Sequence, residues 1–279
     1  MRLFLLTCLT MFAFAANSVL NRLALAGGEI GPAAFGVIRV LSAAVVLLLL
    51  MQVRGQKPGR PNRRHLVSVL ALVAYITGFS FAYVTLDAGI GALILFGGVQ
   101  VTMFGGALMR GETVSGAGWF GALLAFGGLV YLLAPSDFAP DPVGAILMGL
   151  AALGWGVYSL IGRKAALPIN ATGENFLFAF PLVLLVWLIV PEAIVLTPYG
   201  VLLAMTSGMI TSGLGYALWY SVLPRLDTAL AAVAQLTVPV IAVAGGVLFL
   251  GEGVSMRFIL AAGLVLGGVA VSVLGPKGR

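Results

Sequence analysis

Two short stretches decide how this chain folds: FGGALMRGETVSG at Phe104–Gly116 and AGGVLFLGEGVSM at Ala244–Met256. Laid over one another, Gly105–Gly128 and Gly245–Gly268 agree at 11 of 24 positions. The shared residues include Gly105/Gly245, Gly106/Gly246, Leu108/Leu248, Gly111/Gly251, Glu112/Glu252, Val114/Val254, Ser115/Ser255 and Gly128/Gly268. The same offset pairs Asp87 with Asp227, and one residue more pairs Ser18 with Ser159 and Arg22 with Arg163. A chance match in a chain rich in Gly, Ala, Leu and Val would be far sparser. The chain therefore reads as two copies of one unit, residues 1–135 and 142–279, which together make one domain.

Composition says where that unit lives. Of the 279 residues 61% are hydrophobic and 9% charged, whereas soluble domains carry about a quarter charged residues. An aqueous fold of this size could not hide so much apolar surface, so the lipid bilayer is the expected surrounding. The net charge of +6 does not point to nucleic acid, because the basic residues lie between apolar runs. The single Cys8 excludes an internal disulfide. The opening MRLFLLTCLTMFAFAANS resembles a signal peptide, but its apolar run continues to about Leu25 and reads as a first span.

Ten runs are long enough to cross a bilayer as helices: Leu3–Leu25, Pro32–Val53, Leu66–Leu86, Ala88–Met109, Ser115–Ala134, Pro142–Ala165, Thr172–Val190, Pro198–Leu223, Thr228–Leu250 and Ser255–Leu274. Backbone polar groups cannot be left open to lipid, so an all-α integral membrane fold is expected. If the N-terminus is cytoplasmic, the inner side carries 12 of the 15 basic residues, five of them in RGQKPGRPNRRH. The outer loops then carry only Arg257, and Arg22 and Arg39 lie in helices toward the outer face. That asymmetry predicts both termini inside.

Five spans per copy is an odd number, so the second copy enters the membrane from the opposite side. Two inverted five-helix repeats are a transporter architecture, with substrate held near the midplane where the halves meet. The pseudo-two-fold allows two arrangements of similar energy, one open to each side. Glu112 and Glu252 stand just past helix ends and are expected to cap the following helix.

A helix, then GE, then a Gly-rich helix, duplicated in ten spans, resembles the drug/metabolite transporter superfamily in its EamA group. The best-defined segment is YALWYSVLPRLDTALAAVAQLTVPVIAVAGGVLFLGE, Tyr216–Glu252, with Pro239 and Gly251-Glu252 in place. More narrowly, the chain is similar to bacterial aromatic amino acid exporters of the YddG type. The resemblance implies export and a bacterial cytoplasmic (inner) membrane location. One departure is Val99, where the second copy has Pro239 and the group usually has proline.

No ionisable residue is expected at the midplane. Helix one offers Phe14, Asn17, Ser18 and Asn21 on one face; the matching face of helix six carries Trp155, Tyr158, Ser159 and Gly162. Ordinary helix packing is the other reading of such faces. Phe79 and Trp219 hold equivalent positions in aromatic stripes with Tyr75, Tyr83, Tyr216 and Tyr220, and Tyr83 also suits an interfacial belt. Gln100 and Gln235 are lone amides that should avoid lipid. Pro239 lacks an N–H and is expected to bend helix nine as a hinge. The expected substrate-binding set is Phe14, Asn17, Asn21, Phe79, Tyr83, Gln100, Trp155, Tyr158, Ser159, Trp219 and Gln235. Arg22 and Arg39 are expected to snorkel to the outer surface, with a gate or an anion-attracting mouth as the other reading.

No phosphate loop, metal-ligand cluster or nucleophile–base pair stands in the sequence, so no catalysis, cofactor or metal is expected. A neutral, aromatic lining suits a net-neutral small molecule, with large apolar and aromatic amino acids foremost. A multidrug or other metabolite carrier of the same fold, or a passive channel, are the alternatives. The expected unit is a monomer.

Overall fold

The computed structural model describes residues 1–59, 63–109, 111, 114–137, 139–162, 165, 167–226 and 234–274. Among the described residues ten main helices follow one another: α1 Arg2–Ala26, α2 Pro32–Val53, α3 Arg63–Ala82, α4 Ala88–Met109, α5 Gly116–Leu133, α6 Pro142–Gly162, α7 Pro168–Ile189, α8 Pro198–Arg225, α9 Thr237–Leu250 and α10 Met256–Leu274. Nine of them are apolar enough, over at least 18 residues, to cross a membrane. The tenth, α9, is shorter in its described part, and the first residues of its expected span lie outside the described ones. The many outward-facing side chains such as Phe4, Leu49, Phe120, Leu123, Leu188 and Phe249 suit lipid rather than water.

The repeated phrase now has a physical account. Gly111 and Gly251 are both left-handed, at φ 72° and 67°, and each stops a helix. A side chain at either place would be strained, which is why glycine is written twice. The serine that follows caps the next helix: Ser115 Oγ accepts from Gly118 N–H at 3.1 Å, and Ser255 Oγ accepts from Phe258 N–H at 3.1 Å.

Glu252 does not cap α10 as expected. Gly251 turns the chain so that its carboxylate reaches into the first half, where both oxygens accept from Ala88 N–H at the start of α4, at 3.1 and 2.9 Å. Serine has already satisfied α10, so the longer acid is free to reach farther. Its counterpart Glu112 lies outside the described residues.

Helices of the two halves interleave. α5 lies along α10, α3 along α6, α2 along α7 and α8, and α1 and α4 along α9. In α8 the stretch Ser207–Leu214 is a π-helix, flanked by Pro198–Thr206 and Gly215–Val222 in α form. A wide turn of this kind re-aims the side chains that follow it. It also brings α8 so near α2 that a Cβ on Gly208 would collide with the Arg39 carbonyl and Ser42 Oγ.

The end of the bundle that holds the α1–α2, α3–α4, α7–α8 and α9–α10 links is bonded across the halves. Arg22 sits between α3 and α4: Nη1 donates to the Tyr83 and Val84 carbonyls (3.1 and 2.9 Å), Nη2 to Asp87 (3.3 Å) and Nε to Glu252 (3.2 Å). A cation at a helix C-terminus and a carboxylate at a helix N-terminus are each where the helix dipoles favour them. Arg22 therefore does not snorkel. Glu192 accepts from Ala33 and Ala34 N–H, both at 3.0 Å, and Glu29 accepts from Thr197 Oγ1 at 2.6 Å.

Candidate functional site

At the meeting of α1, α3, α4, α6 and α8 lies a cavity of ≈ 10 Å³ lined by Phe14, Asn17, Tyr75, Phe79, Leu95, Phe96, Trp155, Thr211 and Tyr216. That is room for about one water. The rings close it by edge and tilted contacts. Phe14 meets Trp155, Tyr216 and Trp219 with centroids 6.2, 5.9 and 5.9 Å apart. Trp155 meets Tyr75 and Tyr216 at 4.9 and 4.8 Å.

The polar part of the site is built around Asn17, which is buried on α1. Its Oδ1 accepts from Ser207 Oγ at 2.7 Å and Thr211 Oγ1 at 2.9 Å, both on the π stretch of α8. Its Nδ2 points to Tyr75 OH at 3.4 Å. Asn21 donates to the Asn17 carbonyl at 2.8 Å and accepts from Ser80 Oγ at 3.5 Å. One amide thus ties α1 to α3 and α8, so a shift of α8 is felt at once by the cavity wall.

Arg39 is the main departure from what the sequence led us to expect. It is fully buried, not at the surface. It lies seven residues into α2, about 10 Å from the helix start, and its side chain is held by α3 and α8. Its Nε donates to Ser212 Oγ at 2.9 Å and its Nη2 to Tyr75 OH at 3.0 Å. The guanidinium carbon stands 5.2 Å from the ring centres of both Tyr75 and Phe79. The interior therefore holds a fixed positive charge beside the cavity, and the expectation that Arg39 snorkels to the outer surface is corrected.

The structure brings Phe14, Asn17, Phe79 and Trp155 together at the cavity. Tyr158 stacks behind Trp155 at 5.6 Å, and Trp219 stands behind Phe14. Asn21 supports Asn17 from one turn away. Ser159 is half-buried and is not among the lining residues. Tyr83 is fully buried, so it is no interfacial belt; its hydroxyl donates to the Ala88 carbonyl at 3.3 Å beside the Arg22 cluster.

Gln100 does not join the centre. It lines a separate cleft of ≈ 250 Å³ between α4, α5 and α10 with Phe104, Gly121, Ala125 and Val269. Leu95 and Phe96 are the residues of α4 that face the centre, and Gln100 sits one turn past Phe96 on the side away from Leu95. Gln235 is half-buried before α9, where the helix is interrupted at Leu236. Pro239 is buried in the first turn of α9, where its missing N–H costs nothing, so the break precedes it. Missed in the sequence were Thr211, Ser207 and Ser212. Their only signal was a run of small hydroxyl residues, SGMITSGL, which hydropathy alone treats as ordinary span.

Known proteins bear on this arrangement. The profile of the EamA-like transporter family matches the chain twice, over residues 1–134 and 142–274. The chain belongs to the EamA-like transporter family. It is therefore a multi-pass membrane protein of a transporter family. This family member is 44% identical over 276 residues to a Pseudomonas aeruginosa protein named Uncharacterized protein PA1977, covering 99% of this chain and 96% of that one. It is 27% identical over 252 residues to Escherichia coli K12 YedA, named an uncharacterized inner membrane transporter, covering 85% and 80%. A crystal structure matches the fold at TM-score 0.69 and 21% identity, over 95% of this chain and 97% of that one.

Proposed function

We propose that this EamA-family protein is a secondary transporter that exports small metabolites from the bacterial cytoplasm by alternating access. Aromatic and other large apolar amino acids are its foremost substrates. The observation that carries this reading is the convergence of six aromatic side chains and one amide on a single cavity between α1, α3, α4, α6 and α8. An aromatic substrate entering there exchanges protein ring contacts for its own. The Thr211 hydroxyl oxygen and the ring faces suit an ammonium group.

In this reading residues 1–135 and 142–279 are inverted halves, and both termini face the cytoplasm of an inner membrane. Pro239, with the break at Leu236, and the π stretch of α8 are where the second half bends. A multidrug carrier of the same fold would want a carboxylate near the cavity, and among the described residues none lines it.

The test is counterflow exchange in proteoliposomes with a panel of amino acids, organic cations and purines. Phenylalanine, tyrosine or leucine should exchange, and Trp155→Ala should weaken aromatic substrates more than alanine or threonine by ~2- to ~10-fold. Exchange of organic cations alone would replace this reading with the multidrug one. Uptake without saturation or counterflow would replace it with a channel.

A further inference from the structure

Resting on the reading of the central cavity as the transport site, we propose that Arg39 and Tyr216 form its anion receptor. The transported species is then an organic monocarboxylate with an aromatic or apolar body, and its ammonium group is dispensable. Arg39 has five N–H donors. Two are used, by two neutral hydroxyls, Ser212 and Tyr75. Its Nη1 has no hydrogen-bond partner although it is buried. The Tyr216 hydroxyl, on a cavity-lining residue, is buried beside Arg39 and Tyr75, with no carboxylate or carbonyl taking its proton.

Buried polar groups are normally satisfied, and buried charges normally paired. Here a buried cationic donor without an acceptor, Arg39 Nη1, and the Tyr216 hydroxyl beside it stand at one cavity, with no carboxylate on them among the described residues. The missing acceptor is supplied by the cargo. A carboxylate has two oxygens and accepts from a guanidinium and a phenol together. The other walls, Phe14, Phe96, Phe79 and Trp155, exclude a bare hydrated anion and favour an apolar body attached to the carboxylate. An arginine inside a membrane protein is costly to keep and marks a substrate path more readily than a packing role.

The test compares phenylalanine, 3-phenylpropanoate, phenethylamine and phenylalanine amide. Each is added as a competitor of labelled phenylalanine on the purified protein, and as a ligand in thermal-shift measurements. The two carboxylates should compete and raise the unfolding temperature, while the two carboxylate-free amines should be weaker by about 10- to 150-fold, the loss of one hydrogen bond to a charged group. Arg39→Gln should erase the preference between the carboxylates and the amines, Arg39→Lys should keep part of it, and Tyr216→Phe should reduce it.

If Arg39→Gln does not fold, the wild-type ligand series and Tyr216→Phe decide. Amines that compete as well as phenylalanine overturn the receptor while leaving the transporter reading intact. Stabilisation by phosphate or chloride equal to that by phenylpropanoate overturns the organic class. No binding or exchange by any member of the panel overturns the transport site itself.

Discussion

Replacing Arg22 by methionine should unfasten the end of the protein that carries Asp87 and Glu252. The methionine keeps most of the apolar stem and removes every hydrogen bond of the guanidinium. Four are lost: to the Tyr83 and Val84 carbonyls, to Asp87 and to Glu252. Two carboxylates are then left facing each other without a counter-charge. Breaking a buried ion pair by removing one partner costs ~3–5 kcal/mol. The Asp87 side chain is 39% exposed, so its share is screened. We therefore expect ~2–3 kcal/mol, a shift of ~30- to ~140-fold in the closed-to-open equilibrium. The assay is labelling of Ser80→Cys, in a Cys8→Ser background, by an impermeant maleimide added to either side of the membrane. Ser80 is fully buried next to Asn21, beneath the cluster. Labelling from the Asp87 side should accelerate by that factor. A rate within twofold of the parent, in protein that stays monodisperse, would show that the cluster does not hold this end shut.

Burial first, and the Asp87 charge second, raise the Glu252 carboxyl above its ordinary value, against the hydrogen bonds from Ala88 and Arg22. The closed form then binds a proton more readily than one with Glu252 in water. Its contribution is full below the ordinary carboxylate range and is lost as pH rises through the raised value. Acidification from about pH 7 should thus slow Ser80→Cys labelling more than that of a freely exposed cysteine at the same pH, which corrects for the loss of thiolate, and an equal or smaller slowing would contradict the assignment. Gln100→Leu should leave binding of every substrate within about twofold, because Gln100 lines the α4–α5–α10 cleft; a general loss of affinity would return it to the site. Gly251→Ala should lower stability by about 1–2 kcal/mol, the cost of a left-handed backbone for an L-residue, read as a lower unfolding temperature in detergent; an unchanged temperature would mean that the turn relaxes. Cysteines at Gly59 and Ala139 should label from opposite sides, Gly59 from the cytoplasm, and labelling from one side would refute the topology.

The sequence by itself determined the membrane setting, the number of spans and the internal repeat. Those rest on local properties: twenty apolar residues need a bilayer whatever their neighbours, and a glycine that must be left-handed recurs wherever the same turn is made. Gly111 and Gly251, with Ser115 and Ser255 after them, were legible for that reason. That Phe14, Asn17 and Trp155 turn into the bundle was legible too, because a polar or aromatic stripe on one helix face has few places to go in lipid. What only the tertiary structure decided is where long side chains end. Glu252 reaches into the other half to cap α4, Arg22 turns inward to the carbonyls of α3, and Gln100 faces α5 and α10. Hydropathy gives a residue's depth along its helix but not which neighbour its side chain meets. Arg39 shows the difference most plainly. Its position near one end of α2 made a surface arginine the simple reading, and only the π turn of α8, which seats Gly208 against the Arg39 carbonyl and sets Ser212 at its Nε, fixes the charge in the interior.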